Sequence, residues 1–517
     1  MACDLFSRAL DKPLSAQSRS GCERRNRLLN RHTVAVFWAA FSIMLTAALS
    51  LLSVFYFPEY FILIYLSSVV AALLASGGID QPEYRLSRLS IAVVFPIFAL
   101  PLCFFLKRRA RKSEMRIMHV GERKENFVLK PSVPNEVSGI FRSVLNLDRF
   151  AMASVADCRY FSQGAEMLEC MISDVRASQS FVFLEYYIIS EGELWVRMLG
   201  ELSELARRGV EVRVMYDDLG SMKTLPIGYE RRLSALGIKA RAFYPISGRM
   251  SIHNNRNHRK SLIIDGKIAY VGGINLSDEY VGITKPFGEW KDCGMRLEGE
   301  CVRGLSSSFL SLWSLNDGKE DNCQSFTDEA KKKEDDGSLA VLFSSSPRPF
   351  CRRNCAKELL LNIVNTSRHY VYITTPYLVP DFEITAALGR AILRGCSVVI
   401  LTPGVPDKRM MKILTESFYP HLISLGVKIF EYVTGFMHGK SIVADDTVAA
   451  VGSVNLDYRS LAHNFENGAL IFNHKAVMDV KRDILDLLRN SRRQYQSTLS
   501  LKKKAVRLIA GAVLPIL

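Results

Sequence analysis

Cysteine arranged for use is the first thing this chain lacks. Of its eleven cysteines only Cys351 and Cys355 lie close together, and no further Cys or His pair stands at zinc-ligand spacing. An odd number of thiols without a repeating framework fits a reduced compartment. At 517 residues the chain is too long for a small disulfide-stapled scaffold. The apolar poverty of disordered chains is absent as well, since 48% of the residues are hydrophobic. No acidic cluster accompanies the motifs described below, so no metal site and no cofactor are expected.

Charge is missing from three stretches near the start: Thr33–Phe57, Tyr60–Ser76 and Leu89–Leu106. Their concentration of apolar residues accounts for a mean hydropathy of +0.08 in a chain that is 23% charged. A helix needs about 20 apolar residues to span a hydrocarbon core of about 30 Å, and the first and third runs qualify. The second is at the short end and could be re-entrant. The first run is too long and begins too late for a cleaved signal peptide.

The net charge of +15 is unevenly placed. Residues 1–32 carry +4, residues 33–106 carry −1 and residues 107–124 carry +6, which leaves +6 for everything after 124. Basic residues beside apolar segments mark the cytoplasmic side or attract anionic headgroups. Three spans would put the two flanks on opposite sides of the membrane, so one segment does not cross or one flank breaks the rule. Residues from 107 onward are expected on the cytoplasmic side.

The body of the chain is doubled. His258–Asn275 (HRKSLIIDGKIAYVGGIN) and His438–Asn455 (HGKSIVADDTVAAVGSVN) share H-x-K-x4-D-x6-G-[GS]-x-N at identical spacing, 180 residues apart. Each copy reads as a hairpin: a β-branched strand, a turn at Asp265-Gly266 or Asp445-Asp446, and a returning strand. Upstream of each copy stand a strand, a helix and a strand. These are 180–187, 193–208 and 210–216 in the first half, and 369–375, 383–394 and 396–401 in the second. Strands alternating with helices predict βαβ units and a largely parallel sheet. Residues 328–337 form a mixed charge run that reads as a linker.

Each copy supplies one imidazole, one ammonium and one amide. Together His258, Lys260, Asn275, His438, Lys440 and Asn455 would make a cradle for phosphate oxygens, with the lysines as point charges and the asparagines as N–H donors. One histidine could attack phosphorus, while the other protonates the leaving alcohol and then deprotonates the incoming one. The lysines would offset the developing charge without a metal. Asp265 and Asp445 read equally well as catalytic residues and as turn residues that support the fold. The small residues Gly272, Gly273, Gly452 and Ser453 read as places where a ligand's oxygens approach the backbone or as residues that let the hairpin pack. Tyr186, Tyr187 and Tyr377 could line a lipid path or pack in the core.

These residues resemble the motifs of the phospholipase D superfamily. The likeness is closest to the bacterial cardiolipin synthase branch, through RNHRK (256–260), IDGKIAYVGGIN (264–275), DEY (278–280), EWKD (289–292), ITTPYLVPD (373–381), GVKIFEY (426–432) and NFEN (464–467). It covers about residues 60–517. The resemblance implies an α/β fold in which transmembrane helices precede two pseudo-symmetric lobes that share one active site. It implies transfer of a phosphatidyl group from one phosphatidylglycerol to another, with release of glycerol, in a multi-pass bacterial cell membrane protein. It makes His258 the nucleophile and His438 the acid and base, though the roles could be reversed. It gives Glu466, grouped with Asn275 and Asn455 as substrate-holding, as the carboxylate that orients the opposite-half histidine. Pro286 stands at the corresponding offset in the first half, which leaves Asp292 as the substitute.

The expected layout is a basic tail (1–32), an anchor of two to three transmembrane helices (33–106) and a basic connector (107–150). A first half (151–327), a charged linker (328–340), a second half (341–500) and a basic, apolar tail (501–517) follow. That tail either lies on the membrane or docks on the core. Phospholipid and membrane are the expected partners, and nothing in the sequence fixes an oligomeric state. A hydrolytic phospholipase D would use the same residues, with water as acceptor. A nuclease of the superfamily, and with it a nucleic-acid partner, is disfavoured by the anchor and by the modest charge of the body. A catalytically dead scaffold is disfavoured by two complete motifs.

Overall fold

The computed structural model describes residues 58–75, 133–245, 254–315, 336–347 and 353–495, the helix Leu501–Val513 and a few isolated positions. The chain divides into an N-terminal unit up to Arg108 and a body from Arg109. In the N-terminal unit the second apolar run forms helix α1 (Pro58–Ala75), with Ile62, Leu63, Leu66, Val70 and Leu73 more than half exposed. Among the described residues no helix is long and apolar enough to cross a membrane. The first and third apolar runs, both basic flanks and residues 328–335 of the linker lie, single positions aside, outside the described residues.

The body opens with helix α2 (Asn135–Leu147) and β1 (Ala153–Ser154). The first half then runs β2 (Asp157–Phe161), α3 (Gly164–Arg176), β3 (Phe181–Tyr186), α4 (Glu193–Arg207), β4 (Glu211–Asp217), β5 (Lys239–Phe243), β6 (Lys260–Ile264), β7 (Ile268–Gly272), β8 (Glu289–Lys291), β9 (Gly294–Glu298) and α5 (Cys301–Ser314). The second half runs β10 (Leu339–Ser345), α6 (Cys355–Thr366), β11 (Tyr370–Thr374), β12 (Leu378–Val379), α7 (Phe382–Leu393), β13 (Ser397–Pro403), α8 (Arg409–Ser424), β14 (Lys428–Tyr432), β15 (Gly435–Met437), β16 (Ser441–Ala444), β17 (Val448–Gly452), β18 (Leu456–Asp457), β19 (Glu466–Phe472), α9 (Lys475–Arg489) and β20 (Ser491–Arg493). Helix α10 (Leu501–Val513) closes the chain.

Helix α4 illustrates why these segments fold as they do. Leu194, Trp195, Met198, Leu199, Leu202 and Leu205 recur at three- and four-residue spacing and are all buried. The Asp278 carboxylate accepts hydrogen bonds from the first-turn amides of Glu193 and Leu194, which have no partner within the helix.

The internal repeat is exact in topology. The first sheet orders its strands β2-β9-β7-β6-β3-β4-β5. The second contains β10-β19-β17-β16-β11-β13-β14 in the matching order, with β1 and β20 added at its edges. The sheets are mixed rather than largely parallel. In the first, only β3–β4 and β4–β5 are parallel. The reason is the motif itself. Asp265 and Gly266 have φ of 50° and 64°, and Asp445 and Asp446 have 52° and 59°. A two-residue turn with both residues left-handed joins antiparallel strands.

The two sheets pack face to face. Phe183, Ile263 and Met295 of the first share one buried cluster with Val443, Ala449 and Ile471 of the second. Two boundaries shift from the expected layout. Helix α2, expected in the connector, buries Ile140, Phe141 and Val144 in the second-half core beside Leu359 and Ile363 of α6. Strand β1, expected in the first half, pairs with β10 of the second. The closing helix α10 lies against α8, where Lys503 pairs with Glu416 at 2.7 Å and Arg507 donates to the Ser417 carbonyl.

Candidate active site

His258 sits two residues before β6 and His438 three before β16, and each is fastened to the other half. The His258 amide donates to the Phe465 carbonyl at 2.9 Å, and the His438 amide to the Lys291 carbonyl at 2.7 Å. The side chains cross over as well. His258 Nδ1 lies 2.9 Å from Glu466 of the second half, and His438 Nδ1 lies 2.6 Å from Asp292 of the first. All four groups are nearly excluded from solvent. With Nδ1–H donated to a carboxylate, each ring keeps the lone pair of Nε2 for a substrate.

The small residues of the motif serve these carboxylates. A Cβ on Gly273 would stand 2.1 Å from Asp292 Oδ1, so only glycine leaves room for that carboxylate. Its counterpart Ser453 donates its hydroxyl to Glu466. The expectation that these positions admit ligand oxygens is therefore corrected: they admit the partner carboxylate of the opposite histidine.

Lys260 and Lys440 are buried and turn back on their own motif. Lys260 Nζ donates to the His258 carbonyl at 2.6 Å. Lys440 Nζ donates to the His438 carbonyl and lies 2.8 Å from His438 Nδ1. Burial brings Lys260 down to about 7, against the pull of Glu466, and Lys440 down to about 8, against the pull of Asp292. Burial, then the two lysines, push His258 well below its ordinary value. Burial and Lys440 bring His438 down to about 4, although Asp292 opposes them. Burial raises Glu466 to about 7. Burial also acts to raise Asp292, but Lys440 and His438 outweigh it and hold Asp292 below the usual carboxylate range. An anion placed among the lysines would offset their field and let a histidine take up a proton more readily.

Asp265 and Asp445 are not part of this cluster. Asp265 accepts from the amides of Gln179, Ser180 and Phe181 and from the Ser178 hydroxyl, all at 2.9 Å. Asp445 accepts from the amides of Arg368, His369 and Tyr370. Both stand at the turn of the hairpin, at the far end of the motif strand from the histidine. Their assignment as catalytic residues is corrected to fastening the hairpin turn to the strand beside it.

Glu466 is likewise spent on His258 and Ser453 rather than held for substrate. Asn275 accepts from the Ile188 amide and donates to the Tyr280 hydroxyl, so its amide is used within the first half. Asn455 differs, because its buried Oδ1 has no hydrogen-bond partner among the described residues. The buried Asn467 Nδ2 is also without one.

Aromatic rings wall the histidines. Tyr187 meets His258 edge-on at 4.9 Å, while Tyr280, Trp290 and Phe436 surround His438 at 5.4–5.6 Å. Tyr186 is core, and Tyr377 donates to Asp407. Tyr280 and Trp290 lie in the DEY and EWKD stretches, which were the available signal for that wall. Among the described residues no group of His, Cys, Asp and Glu could hold a metal ion.

Two matched α/β halves with crossed histidine–carboxylate pairs define a phospholipase D-like protein. The family described as "Cardiolipin synthase, PLD-like domain" matches residues 171–284 and 360–488. A cardiolipin synthase of Halalkalibacterium halodurans is 31% identical over 419 residues, 78% of this chain and 82% of that one. An uncharacterised protein of Streptococcus mutans is 40% identical over 355 residues, 68% of this chain and 76% of its own. The chain belongs to the cardiolipin synthase family. The crystal structure of a phosphatidylserine synthase from Haemophilus influenzae shares the fold, with a TM-score of 0.57 at 14% identity over 74% of this chain and all of that one.

Proposed function

We infer that this chain is a cardiolipin synthase, a phosphatidyltransferase of the phospholipase D type. The observation that carries the chemistry is the crossed pairing of His258 with Glu466 and of His438 with Asp292, beside two buried lysines.

The phosphodiester of a first phosphatidylglycerol binds against Lys260 and Lys440. His258, neutral because burial and the lysines depress it, attacks phosphorus through Nε2. The N–P bond forms as the bond from phosphorus to the glycerol oxygen breaks, and His438 gives that oxygen its proton. Glycerol leaves. A second phosphatidylglycerol brings its terminal hydroxyl, His438 takes the proton, the oxygen attacks phosphorus and the N–P bond breaks. The product is cardiolipin. Water in place of the second lipid would give phosphatidic acid by the same intermediate.

The apolar runs and basic flanks support a membrane-bound enzyme anchored by two to three helices in 33–106, with its catalytic halves on the cytoplasmic side. Labelling Cys22 and Cys323 from each face of sealed vesicles tests that orientation.

The chemistry is tested with full-length protein in vesicles of labelled phosphatidylglycerol. Cardiolipin and glycerol are expected in equal amounts, together with a base-stable, acid-labile phosphatidyl adduct on His258 that is absent from His258→Ala. Phosphatidic acid as the main product would replace transfer with hydrolysis, and an adduct on His438 would exchange the two roles.

A further inference from the structure

The two histidines are held by carboxylates on very different supports. Glu466 begins β19, a seven-residue strand paired along both sides, with β10 and β17. Asp292 sits between the three-residue β8 and β9, and among the described residues β8 pairs with β15 of the other half alone. The stretch 289–292 nonetheless touches the second half at every residue. Glu289 accepts from the Tyr432 hydroxyl at 2.5 Å, and Trp290 stands edge-on to Phe436 at 4.9 Å. The Lys291 carbonyl receives the His438 amide, and Asp292 receives His438 Nδ1.

The side chain of Lys291 does not join the reacting cluster. It crosses to α9, where its Nζ lies 2.7 Å from Asp483 Oδ1, and it also donates to the Ser162 carbonyl. The other oxygen of Asp483 accepts from the Tyr160 hydroxyl of β2 at 2.6 Å. Lys291 and Asp483 are only 10% and 13% exposed, so the pair is shielded from water and its geometry is fixed on both sides.

We propose that Asp483 is a positioning residue for the acid and base of the reaction: through Lys291 it locks the 289–292 strap across the halves and so keeps Asp292 seated on His438. No such lock is needed for His258, whose carboxylate is built into a sheet. Loss of the lock should therefore impair proton transfer by His438 and spare attack by His258. The proposal rests on the roles assigned above to the two histidines.

The test separates these steps by leaving group. Glycerol must be protonated as it leaves, whereas p-nitrophenolate leaves without a proton. Full-length Asp483→Asn, Lys291→Met and His438→Ala are compared in vesicles, using turnover of phosphatidylglycerol and the first-turnover burst from a phosphatidyl p-nitrophenyl ester. In Asp483→Asn, phosphatidylglycerol turnover should fall at least ~10-fold, within the range of general acid–base contributions, while the burst changes less than ~3-fold. Asp483→Glu should recover part of the loss. Equal losses on both substrates in Asp483→Asn, with selective loss in His438→Ala, overturn the proposal alone. Equal losses in His438→Ala itself overturn the role given to His438 and the proposal with it. If Asp483→Asn does not fold, Lys291→Met carries the same comparison.

Discussion

Replacing Asp292 by asparagine changes almost no volume and puts a definite error into the site. Asp292 Oδ1 accepts from the Cys293 amide at 2.8 Å, and Oδ2 faces His438 Nδ1 at 2.6 Å. An asparagine can satisfy the Cys293 amide only with its oxygen, which turns its NH2 toward His438. That NH2 donates to Nδ1, forces the ring proton onto Nε2, and removes the lone pair that must accept a proton from the incoming alcohol. The flipped amide would set NH2 against the Cys293 N–H and leave buried donors unpaired, at about 1–3 kcal/mol. Lys440 also loses the charge of Asp292, the largest influence that holds its proton against burial. General acid–base catalysis contributes ~10²–10⁴-fold, so cardiolipin formation should fall by about that factor, roughly 3–5 kcal/mol of barrier. The assay is cardiolipin formation in vesicles, with a melting curve to show that the fold survives. Activity within about threefold of the parent, against that expected ~10²–10⁴-fold loss, would refute both the crossed pairing as catalytic machinery and the tautomer argument.

Other outcomes follow from the same geometry. Gly273→Ala places a methyl 2.1 Å from Asp292 Oδ1 and should depress activity as Asp292→Asn does, whereas Ala at Gly282, where nothing lies within 4 Å but φ is +78°, should affect only stability. Asp265→Ala removes four hydrogen bonds to a carboxylate and should lower stability by about 2–4 kcal/mol in a denaturant titration, while the folded fraction keeps its turnover. Lysine is charged below its pKa, and Lys260 and Lys440 are depressed to about 7 and about 8, so the empty site loses positive charge as pH rises through that window. The ratio kcat/KM reports the free enzyme and should fall on that alkaline side, and in Lys440→Met the part of the fall near pH 8 should vanish from the profile.

Much of this was legible in the residues. The strands before each motif were expected at 180–187 and 369–375 and run Phe181–Tyr186 and Tyr370–Thr374, because a continuous apolar run bounded by polar turns has few other ways to be buried. The hairpins were legible from Asp265-Gly266 and its counterpart. The direction of the sheets was less legible: alternating strands and helices point to parallel pairing, whereas the hairpin that follows them turns β6, β7 and β9 antiparallel. Helix α2 is hidden in the sequence for a different reason. Its amphipathic face has meaning only against α6, a partner more than 200 residues further on.

The sequence alone determined the class of protein. A doubled motif with fixed spacing is a local property, and spacing along a strand dictates which side chains share a face. What the tertiary structure decided is who holds whom. Glu466 reaches His258 across 208 residues, and Asp292 reaches His438 across 146. The motif aspartates turn away to backbone amides, and Gly273 gives its space to a carboxylate rather than to a ligand. Those outcomes depend on two sheets packing face to face, and a contact between separate sheets has no period along the chain to betray it.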